Sequence, residues 1–218
     1  MERFDRVFDK LNGGYICFII VTISTVLGYI SSYFYLPLNP SYSMFTNYVS
    51  DMGAGPIETK ITIAVSNTLI GIFLMPLFVF IVRDLEKKDS PKDLKWTILV
   101  VGFITSIATI LSGFFLLDPA DPVAYEVHKI LGIIYFCSIA IVMLVYRYLE
   151  LKLPDFSKLL VIFSIITGIL ALIFMIGFVI VEYTILPRHA LVYFVEHMTF
   201  NSLAIWLIAH GIFFLKNK

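Results

Sequence analysis

The stretch KLLVIFSIITGILALIFMIGFVIVEY, residues 158–183, decides the fold. No charged residue stands between Lys158 and Glu182. A helix needs about 20 mainly apolar residues to cross a bilayer. Lipid offers no partners to backbone N–H and C=O groups, so a run of this length must satisfy them internally, as helix. Five further runs share this character, roughly Tyr15–Tyr35, Lys60–Val82, Trp96–Leu117, Ala124–Tyr146 and Ala190–Leu215. The reading is an all-α polytopic membrane protein, a six-transmembrane-helix bundle forming one domain over residues 1–218.

Composition agrees. Of 218 residues 59% are hydrophobic, with 20 Phe, and the mean hydropathy is +0.91; soluble domains are closer to half apolar. Formal net charge is zero, and no basic stretch points to nucleic acid. Cys17 and Cys137 both fall inside apolar runs and read as small buried hydrophobes. Residues 1 to 12 carry Phe4, Val7, Phe8 and Leu11 at helical spacing, a short amphipathic lead-in. The first run is too long for a signal-peptide core and reads as retained.

Basic residues set the expected orientation. Arg3, Arg6 and Lys10, then Arg83, Lys87, Lys88, Lys92 and Lys95, then Arg147, Lys152 and Lys158, then Lys216 and Lys218 share one side. Only Lys60, Lys129 and Arg188 fall on the other. Both termini are therefore expected to be cytoplasmic, at the cell membrane in a prokaryote. Trp96, Tyr146 and Tyr148 suit an inner aromatic belt, and Tyr33, Tyr35, Tyr125 and Tyr183 an outer one. Small residues at Ser24, Gly28 and Ser31/Ser32, and at Thr105, Thr109 and Ser112/Gly113, suggest helix-contact stripes.

The long outer loop holds Tyr42–Pro56, polar and punctuated by Gly53, Gly55 and Pro56, with Ser50-Asp51 at its centre. Titratable groups inside a membrane are costly and mark candidate sites. Here they gather toward the outer face: Asp51, Glu58, Asp118, Asp121, Glu126, His128, Glu182, His189, Glu196 and His197, with His210 alone deep on the other side. Asp121 before Pro122 reads as a helix cap, Ser50-Asp51 as a local turn, Glu58 as an acid in a first helical turn, and Glu182 as a solvated group. His128, Gly132 and Tyr135 share a stripe, as do Tyr193, His197, Asn201 and Ala204. The second, fourth and sixth helices would present their N-termini outward, a mouth suited to phosphate or carboxylate, although the acids there compete.

The expectation is an outward-facing polar pocket with candidate catalytic residues Ser50, Asp51, His128, Glu196 and His197. His128, His197 and Asp51 or Glu196 would supply the three ligands of a catalytic zinc, without a tight His-x3-His spacing. A Ser50-based triad is the metal-free form. Haem ligation ranks last, because His210 points away from His197 on an ideal helix.

The core Tyr48-Val49-Ser50-Asp51-Met52-Gly53, then Pro56, with His128 opening the fourth helix and Glu196 in the sixth, resembles the FRAG/DRAM/SFK family and a related prokaryotic six-helix family. The resemblance covers nearly the whole chain and singles out Ser50, Asp51, Gly53, His128 and Glu196. His197 stands where that family often has Trp. It implies work on membrane lipids at a non-cytoplasmic face. The functional expectation is thus a lipid-interacting protein, with hydrolase or acyl-transfer chemistry as its enzymatic form. A non-enzymatic regulator or scaffold, and a small-solute or lipid transporter, are the competing classes.

Overall fold

A computed structural model describes residues 12–88, 90–153, 156–184 and 189–216. The amphipathic lead-in falls almost wholly outside them. The described residues form six long helices and no strand: α1 Gly13–Tyr35, α2 Ile57–Lys87, α3 Lys92–Phe114, α4 Pro122–Lys152, α5 Lys158–Tyr183 and α6 Ala190–Lys216. Two short 3-10 turns, Leu36–Leu38 and Val49–Ala54, lie between α1 and α2. All six helices are long and apolar enough to cross a membrane. The chain is a multi-pass integral membrane protein.

Several helices overrun the apolar runs, because a helix need not stop where lipid stops. Asp121 caps α4 by accepting from the Val123 and Ala124 N–H groups, with Pro122 at the first position. Pro56 and Pro91 precede α2 and α3. α2 continues to Lys87 and α4 to Lys152, one or two turns past the apolar limit. α3 stops early, at Phe114, and Phe115 to Asp118 turn toward α4.

Each helix packs on its two chain neighbours, and α6 returns to α1, closing a ring. Glycines let backbones meet. A Cβ on Gly14 would lie 2.6 Å from the Gly211 carbonyl oxygen, and one on Gly113 2.7 Å from that of Ala64. These are small-residue contacts of the kind membrane helices use. Thr105 Oγ1 donates to Ser138 Oγ at 2.8 Å, tying α3 to α4.

The outer surface is apolar on every helix, with Ile61, Ile104, Ile134, Ile173 and Ile205 exposed among many others. That pattern suits lipid and would be a liability in water. Two tyrosines depart from the expected belts. Tyr35 and Tyr146 are buried, at 6% and 1% exposure. Tyr146 packs against Phe156, Trp206 and His210 inside the ring. Trp96, Tyr148, Tyr33 and Tyr183 are exposed, as a belt requires.

Candidate functional site

The loop between α1 and α2 folds over one end of the ring, called here the loop end. Tyr48 is its anchor. Its ring is 1% exposed and meets Phe174, Phe178 and Tyr193 edge-on. Met52 is buried beside Ser32, whose hydroxyl approaches its sulfur at 3.8 Å. Gly55 passes so close to the Tyr35 ring that a Cβ would lie 2.6 Å from it. Asp51 shapes the turn. Its Oδ2 accepts from the Tyr48 N–H at 3.0 Å and the Asn47 amide at 3.3 Å.

Two residues of α6 hold this loop down. Glu196 Oε2 accepts the Val49 N–H at 2.6 Å, and His197 Nε2 donates to the Asn47 carbonyl at 3.2 Å. Tyr42 ties the loop to itself, its hydroxyl donating to the Tyr48 carbonyl at 3.3 Å, and its ring lies edge-on to that of His197. Burial, followed by the negative fields of Glu196 and Asp51, holds the Tyr42 phenol well above its usual range.

Beneath the loop lies a cavity of about 250 Å³ lined from all six helices and the Val49–Met52 turn. Its polar wall comprises Ser24, Ser50, Ser66, Asn67, Thr109, Ser112, His128, Lys129, Tyr135 and Glu196. The remainder is apolar, including Ile20, Ile63, Ile70, Phe136, Phe174, Phe200, Leu203 and Leu207. Gly28 and Gly132 line it too, and a Cβ on either would meet no atom within 4 Å. These two glycines leave space. Gly28 therefore serves the cavity, whereas its small-residue stripe suggests helix contact.

His128 and Lys129 begin the cavity side of α4. His128 Nδ1 lies 2.5 Å from the Phe115 carbonyl oxygen. A carbonyl only accepts, so Nδ1 carries the proton and Nε2 of the neutral ring is an acceptor. Lys129 reaches Glu126 at 2.7 Å and Glu182 at 3.9 Å, and its ammonium lies 4.9 and 5.1 Å from the Tyr125 and Tyr183 ring centres. Glu182, expected to be solvated, has a side chain only 7% exposed, with the Lys129 ammonium 3.9 Å from its carboxylate. At the rim Lys60 pairs with Asp118, and that hydrogen bond holds the Asp118 carboxyl below its usual range.

The candidate residues thus divide. Ser50, His128 and Glu196 share the cavity wall; Asp51 and His197 bond the loop. Asn201 is exposed and does not line the cavity; the inward face of α6 runs instead through Glu196, Phe200, Leu203 and Leu207. Among the described residues no three His, Cys, Asp or Glu side chains gather closely enough to hold a metal ion. The zinc set of His128, His197 and Asp51 is not assembled, because His197 turns to the Asn47 carbonyl and Asp51 to its own turn.

A second buried polar group lies in the other half of the ring. His210 Nε2 is 2.6 Å from Glu150 Oε1, and both side chains are fully buried. His210 Nδ1 donates to the Trp206 carbonyl at 2.9 Å, and its ring stacks on that of Trp206. Sequence reasoning missed Glu150 because the fourth apolar run ends at Tyr146. The signal was a lone acid between Leu149 and Leu151.

A family model described as a protein of unknown function (DUF998) matches residues 22–213. The chain belongs to that family. No curated protein and no solved structure gives a significant match.

Proposed function

We propose that this membrane protein binds a lipid or other long-chain amphiphile in the cavity under the 42–56 loop, with the head group at the loop end. The observation that carries the reading is the division of the cavity wall. Ser50, His128 and Glu196 provide polar contacts, and Phe136, Phe200, Leu203 and Leu207 provide an apolar bed. An amphiphile matches both, whereas a small polar solute would leave the apolar surface facing water. The distribution of Lys and Arg supports a loop end facing away from the cytoplasm.

The experiment is native mass spectrometry of protein purified in mild detergent. The wild type should carry a co-purifying amphiphile, and Gly132→Phe should fold but lose it. An empty wild type that also takes up no added amphiphile would refute the proposal.

One observation favours an enzymatic form. His128 offers Nε2 as a proton acceptor on the same wall as the Ser50 hydroxyl. Such a base would accept the proton as Ser50, or a water, attacks an acyl carbonyl. In that form His128→Ala abolishes lipid turnover while leaving the fold intact. If no turnover is found for the wild type, or His128→Ala changes only melting temperature, the protein is a binder without chemistry.

A further inference from the structure

We infer, building on that binding reading, that the cavity selects a head group that donates hydrogen bonds and carries no negative charge, an ammonium first and a hydroxyl second. Glu196 is 3% exposed and lines the cavity. Its Oε2 takes the Val49 N–H, while Oε1 has no hydrogen-bond partner among the described residues. A buried carboxylate needs a cation or several donors to offset its lost hydration. His128 adds a second open acceptor, Nε2, because Nδ1–H is engaged by Phe115. Two acceptors on one wall call for a donor.

The nearby lysines and the N-terminus of α4, which would welcome an anion, are already occupied. Lys129 is held by Glu126 and lies near Glu182 and two tyrosine rings. Lys60 is held by Asp118. The first free N–H groups of α4 go to Asp121 Oδ1. The outward-facing helix N-termini that suggest a phosphate or carboxylate mouth are thus answered, at α4, by the chain's own acid. A phosphate or carboxylate head would meet the Glu196 carboxyl with no open cation among the described wall residues, whereas an ammonium would pair with it as a carboxylate.

Equilibrium binding of radiolabelled dodecylamine to the full chain in detergent tests this. Unlabelled dodecanol, dodecanoate and dodecyl phosphate serve as competitors. Saturable dodecylamine binding is expected, with displacement by dodecanol and far weaker displacement by the two anions. Glu196→Gln keeps an acceptor for the Val49 N–H and should weaken dodecylamine about tenfold, the size of one hydrogen bond to a charged group, while changing dodecanol little. Gly132→Phe should remove saturable binding of both. Dodecanoate or dodecyl phosphate competing as well as dodecanol would overturn the head-group inference and leave the binding reading standing. So would dodecylamine affinity unchanged in Glu196→Gln. If neither dodecylamine nor any of the three competitors, each labelled in turn, binds saturably, both fall together.

Discussion

The Val49 N–H donates to Glu196 Oε2 at 2.6 Å, joining the α1–α2 loop to α6 across 147 residues of sequence. A single side chain therefore both forms part of the cavity wall and fastens the segment above it. Glu196→Ala removes the acceptor and leaves the Val49 N–H without its partner, at a cost of about 1–3 kcal/mol. Amide hydrogen exchange over residues 42–56 should accelerate in Glu196→Ala more than in Glu196→Gln. Equal protection in all three proteins would separate Glu196 from the loop.

The Glu150–His210 pair is a fully buried polar tie in the other half of the ring. His210 Nδ1–H is engaged by Trp206, so one shared proton lies between Nε2 and Glu150, on either partner. Breaking a buried pair from one side typically costs about 3–5 kcal/mol. His210→Ala should lower the unfolding midpoint in detergent markedly. The double replacement Glu150→Leu with His210→Leu should recover much of the loss. A His210→Ala protein as stable as the wild type would contradict the pairing.

Gly14 and Gly28 stand on the same helix and should respond oppositely to a methyl group. At Gly14 a Cβ would lie 2.6 Å from the Gly211 carbonyl, a backbone atom that cannot move aside. Gly14→Ala should destabilise by about 1–3 kcal/mol through overpacking. At Gly28 the same group enters open space, and replacing a helical glycine by alanine adds up to about 1 kcal/mol of intrinsic helix preference. Thermal unfolding of the two variants side by side measures the contrast.

The Lys60–Asp118 pair gives a pH dependence of known sign. The folded Asp118 carboxyl titrates below its ordinary value of 3.8 because Lys60 bonds it. A lowered folded pKa contributes stability at pH above the unfolded value, lost as pH falls through the folded one. The window is therefore acidic, below about pH 4. Both side chains are partly exposed, so the effect is small and screened by salt. Asp118→Asn should lower the neutral plateau slightly, toward the wild type's acid level, and flatten the acid limb of the stability curve.

The membrane class and six helices were legible because hydropathy reports the cost of placing a backbone in lipid, a cost paid locally. The run at residues 158–183 needed no tertiary knowledge, and α5 spans Lys158–Tyr183. The Asp121 cap and the Asp51 turn were legible for the same reason, since each rests on bonds to near neighbours in the chain. What depends on helix rotation was not. Asn201 shares a nominal stripe with His197, yet the ring turns Glu196 and Phe200 inward and leaves Asn201 exposed. Gly14 and Gly28 look alike in sequence, but one meets a backbone and the other a cavity. Glu150 and His210 are 60 residues apart, and only the contact between α4 and α6 makes them partners.

The most direct test of an amphiphile in the ring is photolabelling with a long-chain amine bearing a diazirine at mid-chain, followed by peptide mapping. The account predicts label on the cavity residues Phe136, Phe200 and Leu203, reduced by excess unlabelled dodecylamine and absent from Gly132→Phe. Label confined to outward-facing residues such as Ile134, Ile141, Ile205 and Ile212, and insensitive to competitor, would contradict it.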